Sequence, residues 1–141
     1  MSKPRYRSGL EEAFGVAHQD FEFEPFNVPY IIKRNYKPDF VKDDVLIECK
    51  GFFRAGDTAK YKAIIECTAG EYELIFILSD PLKKVRKGSK LNMGQWCDKH
   101  GVRYFTIDQV EELNQYLKDR LLWKFVWYQT VKSRKEYQLS I

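Results

Sequence analysis

The chain has 141 residues, 44% of them hydrophobic, with ten Phe, nine Tyr and three Trp, which suits one compact domain and argues against global disorder. No apolar run approaches the roughly 20 residues that span a bilayer, and Met1 to Arg5 leads into charged sequence, so a soluble cytoplasmic protein is expected. A net charge of +4 points only weakly to a polyanion, and Cys49, Cys67 and Cys97 make no zinc spacing with His18 and His100 and read as reduced thiols.

Residues 1–7 read as a short basic arm. Ser8-Gly9-Leu10-Glu11 has the spacing of a capping box, and Leu10, Ala13, Phe14 and Ala17 predict a helix ending near Asp20. Phe21-Glu22-Phe23-Glu24 alternates as a half-buried strand would, Pro25 interrupts it, and Val28 to Ile32 reads as another extended segment. Asp39-Phe40-Val41 and Val45-Leu46-Ile47-Glu48 flank the turn-forming Lys42-Asp43-Asp44, which predicts a β-hairpin. With Asp43-Asp44 as a two-residue loop, Phe40 faces Ile47 and Asp39 faces Glu48, with Cβ atoms about 4.5–5.5 Å apart. Strand alternation puts Lys50 on the face of Glu48.

Asp57 or Thr58 is expected to cap a helix that buries Tyr61, Ile64, Ile65 and Thr68, with Gly70 just past its end. Tyr72 to Leu78 is a strand of the kind buried on both faces. A short helix over Asn92–His100 and a strand over Val102–Phe105 follow. Thr106 and Gln109 form a second capping box before a helix that buries Val110, Leu113 and Leu117. After Leu122 the pattern turns aromatic and basic and assigns no element. The order of elements fits a mixed sheet covered by helices.

Like charges placed opposite one another in a sheet destabilise it, so Asp39 facing Glu48 calls for a cation. Lys50 supplies one, and a divalent metal would supply more. Oxygen-only ligands, the two carboxylates with the main-chain carbonyl of Cys49, favour Mg²⁺ or Mn²⁺ over zinc. Phosphodiester hydrolysis uses such a group: the metal activates water and orients the phosphate, while Lys50 holds the attacking water or neutralises developing charge. Glu11 could bind a second metal. Each residue also has an ordinary reading, Glu11 as a helix-capping acid, Asp39 as a turn residue, and Glu48 with Lys50 as a strand ion pair worth under about 1 kcal/mol.

Lys83, Lys84, Arg86, Lys87 and Lys90 fall within eight residues that contain no acid. Lys124, Lys132, Arg134 and Lys135 are interleaved with Trp123, Phe125, Trp127 and Tyr128. Basic clusters beside aromatics suit a phosphate backbone, and each is also common as a solvated face. Arg5, Arg7, Lys33 and Arg34 complete the candidate DNA contacts.

Pro38-Asp39 and Glu48-Cys49-Lys50 match the PD…ExK signature of restriction-endonuclease-like nucleases. Within that group the chain resembles the bacteriophage endonuclease I family. The matching pieces are Arg7-Ser8-Gly9-Leu10-Glu11, Phe21-Glu22-Phe23-Glu24, Val28-Pro29-Tyr30, Pro38-Asp39-Phe40, Glu48-Cys49-Lys50-Gly51, Arg86-Lys87-Gly88-Ser89 and Trp96-Cys97-Asp98-Lys99-His100-Gly101-Val102. They run in order across residues 7–105.

The resemblance implies an α/β, restriction-endonuclease-like mixed sheet flanked by helices, and a Mg²⁺- or Mn²⁺-dependent enzyme that cuts four-way (Holliday) junctions and other branched DNA. It implies catalytic roles for Glu11, Asp39, Glu48 and Lys50, with Glu22 also at a position important to the family. It further implies a homodimer that swaps its N-terminal elements. The stretch between Pro29 and Asp39 is shorter than the family pattern, and beyond Phe105 the resemblance carries no information. The expectation is a single nuclease domain over 1–141, with the arm at 1–7, the core at 8–107 and a helix plus tail at 108–141. Two alternatives accompany it: another nuclease of the superfamily that cuts linear duplex, and a non-catalytic nucleic-acid-binding module.

Overall fold

The turn at Asp43-Asp44 sets the register of the sheet. In the computed structural model, which describes residues 2–140, Asp43 takes a left-handed backbone with φ 53°, a conformation Asp tolerates better than most residues. Phe40–Lys42 (β1) thereby folds back on Val45–Lys50 (β2), with Lys42 opposite Val45 and Phe40 opposite Ile47, the register expected from the sequence. β2 runs parallel to Glu73–Leu78 (β3), and β3 runs parallel to Arg103–Phe105 (β4), which gives a mixed sheet in the order β1-β2-β3-β4.

The parallel pairs require crossovers, and two helices supply them. Asp57–Thr68 (α2) links β2 to β3, and Met93–Lys99 (α3) links β3 to β4. Leu46, Leu74, Phe76 and Leu78 on one face of the sheet join Phe53, Tyr61, Met93 and Trp96 in the main core. Val45, Ile75 and Phe105 on the other face meet Leu113, Tyr116 and Leu117 of the last helix, Val110–Leu139 (α4). β3 is covered on both faces, which explains its near-continuous apolar run.

The chain divides into two compact units, one ending at Asn35 and one beginning at Tyr36. The first contains one helix, Gly9–Ala17 (α1), whose N-cap Ser8 accepts the Glu11 N–H. Phe14 packs edge-on against Phe21, with ring centroids 5.6 Å apart, and Tyr6 packs edge-on against Phe23 at 4.7 Å. Gly15 leaves room for the Tyr6 ring, which a Cβ there would overlap.

Several expectations are corrected. α1 stops at Ala17 instead of near Asp20. Residues 21–24 and 28–32 form no strand, because neither segment pairs with another, and Phe21 and Ile31 stand exposed. α4 is capped at Gln109, not Thr106: the Gln109 side chain accepts the Thr106 N–H, while the Thr106 hydroxyl turns to Asp108. Val110 is exposed; the buried side of α4 consists of Leu113, Tyr116 and Leu117. The aromatic-basic tail is the continuation of α4, a 30-residue helix. Arg120 ties it to the sheet unit, pairing with Asp44 at 2.7 Å and with Glu73 at 2.6 Å.

Candidate active site

β2 ends in Glu48-Cys49-Lys50, and alternation sends Glu48 and Lys50 to the same face. Glu48 is buried, and a buried carboxylate must be met by donors. Two hydroxyl donors and one cation meet it. The Tyr36 hydroxyl donates to Oε2 at 2.5 Å, the Tyr61 hydroxyl donates to Oε1 at 2.6 Å, and Lys50 Nζ stands 3.3 Å from Oε1. Lys50 Nζ also lies 5.1 Å from the centroid of the Tyr61 ring and 3.7 Å from Asp57 Oδ2.

Asp39 precedes β1 and sits one step beyond the Phe40–Ile47 pair, so it comes opposite Glu48. Its Oδ2 accepts the Cys49 N–H at 2.8 Å, which fixes the carboxylate against the C-terminal end of β2. The acidic surroundings register on neighbouring groups. Burial first, then the charges of Asp39 and Glu48, pushes the Cys49 thiol above its ordinary range. Burial first, then the bond to Glu48, raises the Tyr36 and Tyr61 phenols, so both remain donors across the physiological range.

The structure therefore brings Asp39, Glu48 and Lys50 together as the sequence indicates. Glu11 and Glu22 belong to the first unit. There Glu11 accepts the Arg7 N–H at 2.7 Å, and Glu22 is exposed. Tyr36, Tyr61 and Asp57 are additions. Tyr61 is legible in the sequence as a core position, but nothing along the chain marks its hydroxyl as a partner of Glu48. Asp57 or Thr58 is expected to cap α2, but Gly56 holds the cap position and Asp57 is the first helical residue, its Oδ2 accepting the Arg54 N–H at 2.9 Å while also facing Lys50.

Among the described residues no three His, Cys, Asp or Glu side chains converge on one point. The donor chemistry nevertheless suits a hard divalent cation. A carboxylate offers about four lone-pair directions, and the two phenols take one on each oxygen of Glu48, which leaves a direction on each oxygen for Lys50 or a metal. Asp39 and the Cys49 carbonyl would be its companions, all oxygen donors of the kind Mg²⁺ and Mn²⁺ take.

The surroundings of this end of the sheet are basic. β2 and β3 are parallel, so the segment after β3 leaves from the end that carries Lys50. That segment is the basic loop. Buried Val85 anchors it, its N–H bonded to the Leu91 carbonyl at 3.0 Å, and Lys83, Lys84, Arg86, Lys87 and Lys90 are exposed around that anchor. Exposed Phe52, two residues past Lys50, has Lys83 Nζ 5.4 Å and Arg54 Cζ 5.9 Å from its ring centroid. Arg5, Lys33 and Arg34 are exposed in the first unit, and Arg7 pairs there with Glu24. No helix among the described residues is long and apolar enough to cross a membrane.

Comparison with known proteins matches residues 1–119 to the family model described as phage endonuclease I. Endonuclease I of Escherichia phage T7 is 32% identical over 107 residues, covering 70% of this chain and 71% of the relative. Endodeoxyribonuclease 1 of Enterobacteria phage T3 is 32% identical over 107 residues, covering 70% of each. The family match reaches beyond Phe105 into α4 and stops at Asp119.

Proposed function

The chain belongs to the phage endonuclease I family and is a nuclease; we propose that it hydrolyses phosphodiester bonds of four-way junctions and other branched DNA with a divalent metal. The observation that carries this reading is the convergence of Asp39, Glu48 and Lys50 at one end of β2, beside an exposed basic loop.

Asp39, Glu48 and the Cys49 carbonyl would hold Mg²⁺ or Mn²⁺. When bound, the metal lowers the pKa of a coordinated water and offsets charge on the scissile phosphate. The protein does the positioning. Glu48 is clamped by the hydroxyls of Tyr36 and Tyr61, and Asp39 is held by the Cys49 N–H, so both carboxylates keep their directions. Lys50, held between Glu48 and Asp57, presents an ammonium to the phosphate and stabilises the charge that develops on its oxygens. The basic loop carries backbone contacts, and the family resemblance assigns Glu11 and Glu22 as further carboxylates.

A homodimer is part of this proposal. The first unit has only about thirty-five residues, too few to close a core alone. Leu10, Phe14, Tyr30 and Ile31 are exposed in it, an apolar surface that a second copy would cover. The family's habit of exchanging N-terminal elements between copies belongs to the same proposal, as does a restriction-endonuclease-like assignment of the sheet.

The test is cleavage of a labelled four-way junction beside a linear duplex of equal length, with Mg²⁺ and with EDTA. Junction-selective cutting that EDTA abolishes, and that Glu48→Ala removes while junction binding survives, is the expected result. Cutting of the duplex alone would make it a nuclease of unbranched DNA, and equal cutting in EDTA would sink the metal mechanism.

A further inference from the structure

Glu48 is gripped from two separate elements. Tyr36 lies twelve residues before it, at the start of the second unit, and Tyr61 comes from the second turn of α2. Their rings meet at 89° with centroids 6.1 Å apart, and each hydroxyl takes a different oxygen of the same carboxylate. Tyr61 is wholly buried, its ring packed against Phe53 and Phe76. The Tyr61 hydroxyl is thus aimed by the main core of the sheet unit. Lys60 Nζ stands 5.6 Å from the Tyr36 ring and 5.2 Å from the Tyr61 ring, so a cation bridges the two phenols from their faces.

A carboxylate on a strand end keeps two soft torsions beyond χ1, and its terminal torsion is broad. One donor on one oxygen would leave the other free to swing. Donors on both oxygens remove that freedom and leave one lone-pair direction open on each. Lys50 pairs with the same oxygen that Tyr61 holds, Oε1.

We infer that Tyr36 and Tyr61 are positioning residues that lock Glu48 in the orientation needed to take a divalent cation. The inference rests on the metal-dependent reading above. Outer-shell partners of metal-binding carboxylates contribute about 10–100-fold to metal affinity or activity. The clamp has the geometry for that role, since neither phenol has another hydroxyl partner competing with Glu48 among the hydrogen bonds of the described residues.

Calorimetric titration of Mn²⁺ into the full-length protein without DNA tests it, with wild type, Glu48→Gln, Tyr36→Phe and Tyr61→Phe compared. Wild type should bind and Glu48→Gln should not. Each Phe variant should bind about 10–100-fold more weakly, need correspondingly more Mn²⁺ for half-maximal cleavage, and recover rate at saturating metal. A purely structural role would lower thermal stability without moving the metal requirement. If Tyr61→Phe fails to fold, half-buried Tyr36 reads the same clamp at the other oxygen. Phe variants that titrate like wild type, while Glu48→Gln loses binding, overturn the inference and leave the metal site standing. Wild type that takes up no Mn²⁺ overturns the metal mechanism, and this inference with it.

Discussion

Lys50 and Asp57 face each other with Nζ 3.7 Å from Oδ2, so the lysine at the end of β2 is shared between Glu48 and the first residue of α2. Asp57 does two jobs with one oxygen, since Oδ2 also accepts the Arg54 N–H at 2.9 Å. The turn after β2 and the direction of the lysine are therefore coupled.

This coupling separates two substitutions. Asp57→Asn keeps an acceptor for Arg54 and removes the charge beside Lys50. It should leave the melting temperature nearly unchanged and lower the cleavage rate. Asp57→Ala also loses the acceptor, and should cost about 1 kcal/mol of stability, the net worth of one hydrogen bond. Thermal melts and single-turnover cleavage of the same preparations check both. Equal cleavage rates for wild type and Asp57→Asn would remove Asp57 from the site.

The basic loop predicts a salt dependence. Replacing Lys83, Lys84, Arg86 and Lys87 by Ala should weaken DNA binding and flatten its dependence on salt, by about 0.9 in log–log slope for each phosphate that is no longer neutralised. Val85, the buried anchor, is retained, so the fold should persist. Binding isotherms at several salt concentrations are the measurement, and an unchanged slope takes this loop off the DNA surface.

Cys97 predicts alkaline behaviour. Burial first, and then the charge of Asp98, pushes its thiol up from 9.0 to about 12. The folded chain thus keeps a proton that the unfolded chain gives up. Stability from this group is intact below pH 9 and declines as pH rises toward 12. Cys97→Ala should flatten that decline while lowering stability at neutral pH through the small cavity it leaves. Denaturant melts between neutral and alkaline pH provide the comparison, and parallel curves for the two proteins would contradict it.

Arg120 predicts what holds α4. Its guanidinium bonds Asp44 through two nitrogens and makes a third bond to Glu73, with the side chain only 16% exposed. Arg120→Ala should destabilise the sheet unit by about 1–2 kcal/mol, between the values for exposed and buried pairs. Ending the chain after Tyr128 should cost much less, because the packed residues of α4, Leu113, Tyr116 and Leu117, all precede that point. Denaturant titrations of the two variants distinguish the anchor from the overhang.

By itself the sequence determined the hairpin, its register and the shared face of Glu48 and Lys50. Those depend on a turn made by adjacent residues and on the two-residue period of a strand, both local. It also marked β3, whose apolar run leaves no wet face, and the cap of α1, where Ser8 bonds within three residues. Alternation at residues 21–24 misled because a strand exists only where a second strand pairs with it, and no pattern along the chain reports whether one is there. The aromatic tail was illegible for a related reason. Apolar residues on every side of a helix erase the one-sided stripe that marks helices, so its helicity became visible only in three dimensions. The partners of Glu48 lay furthest out of reach. Tyr36 and Tyr61 are twelve and thirteen residues away in opposite directions. Only the packing of α2 on the sheet, and the path of the chain into β1, decided that both hydroxyls would meet one carboxylate.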